Sequence, residues 1–459
     1  MKKVTLRDFI VASVAIFLIL VLIIDFLLDI SFFSVNILSW LSLILFLLAL
    51  LDIFRRRPSR FGFRLAILTY YSLTQFSLYW VCISIPIANA IMSTQRYIDG
   101  GWLRSSNMVA PSIELGIIGF LTMYLGFVSW PTIRKNRKRE KAFQNDIIES
   151  RYFFWGGIIF CAAALILLII SIMSGRFSLS GNYVTFRNAY SDVFASTWAQ
   201  CIMFSTLAIS FCVPFYNTQQ FKLFVLLFSM IAIIVLGTGN KGEILFPLAA
   251  AMGCIYNVRE GRIPKRIVVL AVLILIVLIP TITTFRYSGF ALNQGLTFNI
   301  ASPFLEIGSQ ARCTVFILEE FSSGIRQNYL NGYSYYSPII NIINRVFPFI
   351  SRLPIPSDYY GYTFGTNIGY SQVAESYQNF GLFGVIIFHL CFGLFLSHLD
   401  YSSDNIQRMT LHTSWTAIFV MMCRNHFSSV LPTMLYYFIY WIIVRVVNNA
   451  LIGKKRSDK

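Results

Sequence analysis

Charged side chains supply only 12% of the 459 residues, against 56% hydrophobic, and the mean hydropathy is +0.66. So little polar surface cannot cover a soluble globule, which excludes a water-soluble enzyme or binding module. Carboxylates are the scarcer sign, 20 Asp and Glu against 37 Lys and Arg, leaving a net charge of +17. That charge would serve nucleic-acid binding only if it gathered on one water-facing surface. Here the basic residues alternate with apolar runs, so no nucleic-acid partner is expected. Cysteine lacks a framework: Cys82, Cys161, Cys201, Cys212, Cys254 and Cys391 fall in apolar segments, and only Cys313 and Cys423 lie near an outer surface. They are read as packing residues rather than a disulfide or metal set, and no metal or other cofactor is expected. A dinucleotide fingerprint is missing too. Gly237-Thr238-Gly239-Asn240-Lys241-Gly242 has its spacing, but no strand precedes it and no βαβ unit surrounds it.

What fills the chain is apolar segments near 10–30, 33–54, 65–92, 110–130, 152–173, 195–216, 221–237, 243–258, 266–285, 380–398, 411–424 and 428–449. A helix needs about 20 apolar residues to cross the hydrocarbon core, so these predict an all-α polytopic membrane protein with about 12 transmembrane helices. The opening MKKVTLRDF and its apolar run resemble a signal peptide, but the run is too long and lacks a small-residue cleavage site, so it reads as a retained first span. With a cytoplasmic N-terminus, 26 of the Lys and Arg residues fall inside and 11 outside, the asymmetry expected when positive loops stay in the cytoplasm. Both termini are then cytoplasmic. The basic loops set topology and touch lipid head groups, making the bilayer itself a partner.

Three regions follow: a membrane domain over 1–285, a large extracytoplasmic loop or lid over 286–379, and a membrane domain with a basic tail over 380–459. The loop holds five Arg and no Lys, five carboxylates (Glu306, Glu319, Glu320, Asp358, Glu375), ten of the 24 Tyr, and neither His nor Trp. Ser302-Pro303 predicts a helix start and 302–323 one helix; 335–349 is a second, ended by Pro348. From 351 to 370, five Pro and Gly residues predict irregular backbone, which must lie in water or against protein.

Eleven basic residues stay outside against the positional bias, Arg187 among them, and an anionic ligand is one reason to tolerate them. Asn240 is a candidate N-cap with Glu243 as its capping-box partner, and Lys241 beside that helix N-terminus would make a small phosphate site. Arg286 ends the ninth span as an interfacial anchor or a site residue. Arg312 lies mid-helix in the loop, on a different face from Glu306 if both share one helix. Glu375 sits just before the tenth span, where partial desolvation would raise its pKa toward that of a general base; a helix-start carboxylate answering the dipole is the plainer reading. Arg424-Asn425-His426 breaks the last two spans, and a charge there needs a cavity or partner.

The outer-end Gly239-Asn240-Lys241-Gly242 turn, the Thr284-Phe285-Arg286 exit, Glu306-Ile307-Gly308, Ala374-Glu375-Ser376-Tyr377-Gln378-Asn379-Phe380-Gly381 and Arg424-Asn425 together resemble the Wzy family of O-antigen and capsular repeat-unit polymerases. The likeness lies chiefly in 235–430 and in the twelve-span layout with one large late outer loop. It implies a metal-independent glycosyltransferase of GT-C-like fold in the cytoplasmic (inner) membrane, acting on undecaprenyl-diphosphate-linked oligosaccharides. A chain-length regulator membrane protein is the implied protein partner. Glu375 or Glu306 would then be the base, and Lys241, Arg286, Arg312, Arg424 and Arg187 would hold diphosphate. Tyr359, Tyr360, Tyr362 and Tyr370 would offer flat faces to sugar rings.

Other lipid-linked-sugar enzymes fit less well. An O-antigen ligase is expected to present a His in the big loop, and mannosyl- and oligosaccharyltransferases an acidic pair in a first outer loop that here, near Asp29, is only a few residues long. A transporter or flippase tends to show two matching halves, and the second half here does not echo the first; Pro86, Pro214 and Pro247 within spans are what keep that reading open.

Overall fold

The computed structural model describes residues 6–28, 32–55, 62–84, 106–129, 146–173, 195–237, 242–259, 277, 281, 302–354, 370–402 and 405–457. Its helices are α1 (Leu6–Leu28), α2 (Val35–Arg55), α3 (Gly62–Tyr79, continued by a π-turn Trp80–Ser84), α4 (Val109–Ser129), α5 (Arg151–Met173), α6 (Ala195–Cys212), α7 (Phe221–Gly237), α8 (Gly242–Val258), α9 (Ser302–Gly308), α10 (Ala311–Ser322), α11 (Tyr333–Val346), α12 (Gln372–Ser402), α13 (Ile406–Met422) and α14 (Phe427–Ser457). Among the described residues there is no strand. Eleven of the twelve expected segments coincide with these helices; the ninth, 266–285, lies outside the described residues. By length and composition, six helices can cross a membrane (α1, α2, α4, α5, α12, α14), and shorter apolar helices lie in α6, α7 and α8.

The single helix expected over 302–323 is two. The Ser309 hydroxyl donates to the Glu306 carbonyl (2.8 Å), a side-chain competitor for the helical bond, and α10 restarts with Cys313 N–H on the Gln310 carbonyl (3.0 Å). Gly308 is needed where α9 ends, because a Cβ there would stand 2.3 Å from the Leu78 backbone nitrogen.

Two compact units divide the chain. The first comprises Met1–Ile133, Phe304–Tyr401 and Phe419–Pro432, so α9–α11 of the loop belong with α1–α4 and most of α12. Its centre is α4, whose spanning window is 83% buried, whereas that of α1 is 22% buried and turns Phe9, Phe17 and Leu27 outward, as a lipid-facing helix must. Small residues let α4 and α12 touch backbone to backbone: a Cβ at Gly393 would lie 2.2 Å from the Met123 carbonyl oxygen. At the far end of α12, the buried Asp400 carboxylate accepts the Phe63 N–H (2.9 Å), the Arg64 N–H (3.0 Å) and the Arg64 Nε–H (2.9 Å). It both pairs a cation and caps α3, and Arg64 Nη1 spends its remaining donors on Phe127 O (2.8 Å) and Ser397 Oγ (3.1 Å).

The second unit comprises Arg134–Pro303, Ser402–Ile418 and Thr433–Lys459. There α5 and α6 pack closely, Phe160 stacking on Phe204 (5.7 Å) and meeting Tyr440 edge-on (5.5 Å). Asn448 Nδ2 donates to the Glu149 carbonyl (3.0 Å).

Candidate functional site

All the site geometry described here lies in the first unit. Helix α12 is 31 residues long, but Phe380 (φ −143°, ψ 19°) and Gly381 (φ 62°, ψ −152°) break it. The part beyond the break, 382–402, is about 31 Å long and by itself matches a hydrocarbon core of about 30 Å. Residues 372–379 therefore form a separate short helix before that segment. Its last carbonyls are taken up by a passing loop: Leu330 N–H bonds Gln378 O (2.9 Å) and Asn331 N–H bonds Asn379 O (3.0 Å). Asn331 (φ 48°) and Gly332 (φ 85°) then turn the chain into α11. Gly381 has the left-handed conformation that favours glycine, and a Cβ there would also meet the Tyr329 hydroxyl at 2.8 Å.

Each residue of the 374–379 motif has a place. Ala374 packs in the buried cluster of Cys313, Ile317 and Tyr370. Ser376 accepts the Tyr335 hydroxyl (3.1 Å), Tyr377 meets Phe321 edge-on (5.6 Å), and Gln378 Oε1 accepts the Tyr370 hydroxyl (2.6 Å). Asn379 Nδ2 donates to Ser334 Oγ (2.7 Å) and to the Glu375 carbonyl (2.8 Å).

Glu375 is 2% exposed. Burial pushes its carboxyl up from 4.5 to about 7, held back in part by the Ser334 hydroxyl and the Phe427 N–H. Oε2 accepts that N–H at 2.9 Å, capping the first residue of α14. Oε1 is buried and accepts no hydrogen bond. A carboxyl that ionises near neutrality and keeps one oxygen uncommitted can take a proton from a hydroxyl.

The break between α13 and α14 supplies the nearby cation. Its backbone is tied to the start of α12, the Arg424 carbonyl accepting the Tyr370 N–H at 2.7 Å. The Arg424 guanidinium donates to the Tyr70 hydroxyl of α3, and Glu306 is close enough to act electrostatically on the same hydroxyl. Glu306 is buried, its side chain 7% exposed. His426 stacks on Tyr370 (3.8 Å between centroids, 20°), and burial pushes its imidazole down to about 4, so it is neutral at physiological pH. Arg424 is thus the charged member of the break.

Of the expected site residues, Arg424 and Glu306 both act on Tyr70, and Glu375 and Arg424 are joined through the backbone of the four-residue break and the first residue of α14. Arg312 acts electrostatically on Tyr79 and Cys82, nine and twelve residues further along α3 and its π-turn than Tyr70. Tyr370 is a correction. His426 stacks on its ring, which also packs in the cluster of Cys313, Ile317 and Ala374, so it offers no open face to a sugar. Lys241, Arg286, Arg187, Tyr359, Tyr360 and Tyr362 lie outside the described residues, as does the Asn240 cap. Glu320 pairs with Arg326 (3.0 Å) and Glu319 accepts the Ser106 hydroxyl (2.6 Å). Among the described residues no group of three His, Cys, Asp or Glu is placed to hold a metal.

Tyr70 and Ser334 were not foreseen. For Tyr70 a signal exists: α3 carries Tyr70, Tyr71, Ser72, Thr74, Gln75 and Ser77 in succession, too polar to face lipid, so it must face protein. Gln75 shows the same logic, its amide donating to Ser371 Oγ (3.0 Å).

Residues 10–455 match the family described as O-antigen polysaccharide polymerase Wzy. The chain is also similar to Protein CapE of Staphylococcus aureus, 25% identical over 381 residues, which cover 81% of each chain. No solved structure matches it. With a match over nearly its whole length, the chain belongs to the Wzy family of O-antigen polysaccharide polymerases.

Proposed function

We propose that the chain builds a surface polysaccharide by joining oligosaccharide repeat units carried on undecaprenyl diphosphate, outside the cytoplasmic membrane and without a metal ion. Repeat-unit polymerisation follows from membership of the family; the donor and the catalytic groups are our reading. In the step, a sugar hydroxyl oxygen of the incoming unit bonds to the anomeric carbon of the growing chain as that carbon's bond to the diphosphate oxygen breaks. The hydroxyl proton passes to Glu375, and the electron pair of the broken bond leaves on undecaprenyl diphosphate.

The observation that carries this is the Glu375 carboxyl: buried, ionising near neutrality, one oxygen fixed by Phe427 N–H and the other uncommitted. Arg424 supplies positive charge for the diphosphate, with Glu306 acting beside it through Tyr70. This reading also assigns diphosphate binding to Lys241, Arg286, Arg312 and Arg187, and sugar binding to Tyr359, Tyr360 and Tyr362. The same reading has twelve spans, both termini in the cytoplasm, 286–379 as a lid, and a chain-length regulator membrane protein as partner.

The test is the surface glycan of a strain lacking the chain, complemented with wild type or with Glu375→Gln. Wild type restores a ladder of chain lengths and the variant leaves single repeats. Loss of all glycan with units trapped inside the deletion strain would make the chain a flippase, and long ladders from the variant would remove Glu375 as the base.

A further inference from the structure

We infer that Gln372, Ser337 and Asn379, with Glu375 between them, form a subsite that binds hydroxyl groups of the acceptor sugar; this rests on the polymerase reading above and names the part of the substrate that the site grips.

Gln372, Glu375 and Asn379 stand at i, i+3 and i+7 of the short helix before the α12 break, so they share one face. Asn379 on that face bonds Ser334 of α11, and Ser337, one turn further along α11, lies on the same side of its helix. All four side chains are at least 98% buried. Yet five of their polar atoms make no hydrogen bond: Gln372 Nε2 and Oε1, Glu375 Oε1, Asn379 Oδ1 and Ser337 Oγ. Buried polar groups in native proteins are nearly always paired, and unpaired ones gathered on one helix seam point to a ligand that pairs them.

The chemistry of the atoms selects the ligand. Asn379 Nδ2 donates to the Glu375 carbonyl, which fixes its amide so that Oδ1 is the open acceptor. The seam thus offers acceptors (Glu375 Oε1, Asn379 Oδ1, Gln372 Oε1), a donor (Gln372 Nε2) and a hydroxyl that is both (Ser337). A diphosphate needs donors and would be repelled by three acceptor oxygens. A sugar, whose every hydroxyl both donates and accepts, matches the mixture. Held there, the hydroxyl that bonds Glu375 Oε1 is the one whose proton that carboxylate removes, so the flanking amides select which hydroxyl attacks.

The experiment uses the purified full-length protein and the repeat-unit oligosaccharide released by mild acid from the lipid-linked units that accumulate in the deletion strain. Equilibrium binding is compared for wild type, Gln372→Met and Ser337→Ala. Neither side chain has a protein partner to lose, so thermal unfolding should be unchanged or shifted upward while binding weakens about tenfold per lost pair. Inorganic pyrophosphate should not compete. Equal binding by wild type and both variants, absence of binding to wild type, or displacement by pyrophosphate would each overturn the subsite. Extension of intact lipid-linked units is followed in parallel. Gln372-dependent binding without extension would sink the polymerase reading and leave the subsite standing. Extension with an unchanged KM in Gln372→Met would do the reverse.

Discussion

Glu375 ties stability and activity to pH in opposite senses. Its carboxyl is raised by burial from 4.5 to about 7, so the folded chain holds the proton more tightly than the unfolded chain, by about 3 kcal/mol. Below 4.5 both states are protonated and this contribution to stability is present in full. As pH rises toward 7 the unfolded chain has released the proton and the folded chain has not; stability therefore falls across that window and the contribution is gone above it. Glu375→Gln cannot ionise. Thermal unfolding of the purified protein in detergent, run from about pH 5 to about pH 8, should show wild type losing up to about 3 kcal/mol while the variant stays level. Catalysis runs the other way, because only the deprotonated carboxylate accepts a proton. Joining of lipid-linked repeat units should rise with pH to half its maximum near 7, and Glu375→Gln should lower it about 10²- to 10⁴-fold. A wild-type rate that is flat between about pH 6 and pH 8, or an acid limb that persists in the residual activity of the variant, would refute the assignment.

Arg424→Lys should lose most activity, since a point charge cannot reproduce a guanidinium that meets both Tyr70 and an anion; Tyr70→Phe combined with it should cost little more than either change alone, read as a double-mutant cycle on chain joining. Asp400→Asn leaves Arg64 buried without its charge partner and should destabilise by about 3–5 kcal/mol, seen as lower yield and an earlier unfolding transition. Gly308→Ala places a Cβ 2.3 Å from the Leu78 nitrogen and should lift α9 off α3, reducing activity through Glu306 without changing the pH profile set by Glu375.

The spans were legible because apolar length is a local property: 110–130 read from composition is Val109–Ser129 in the structure. Helix α11 starts two residues before the expected 335, because the turn that begins it depends on Asn331 and Gly332 taking left-handed conformations, fixed by pairing to Gln378 and Asn379. The helix expected across Gly308 ignored a packing demand from Leu78, more than two hundred residues away. Glu375 was found through its position before an apolar run, but its partners were not, since Ser334 and Phe427 lie 41 and 52 residues away and neither carries a sequence signal of its own. Tyr370 differs from expectation for the same reason: a tyrosine in a Tyr-rich loop looks available from sequence, and the His426 that lies on it is 56 residues away.

The offset between Glu375 and Arg424 is held largely by main-chain atoms, Phe427 N–H to Glu375 Oε2 and Tyr370 N–H to Arg424 O. A peptide group forms the same bond whatever side chain it bears. The backbone part of this placement does not depend on the side chains at 370 and 427, whereas the proposed sugar seam consists of side chains. Such a division would let the proposed seam change, and with it the glycan extended, while the peptide groups that place the proposed base and cation stay the same.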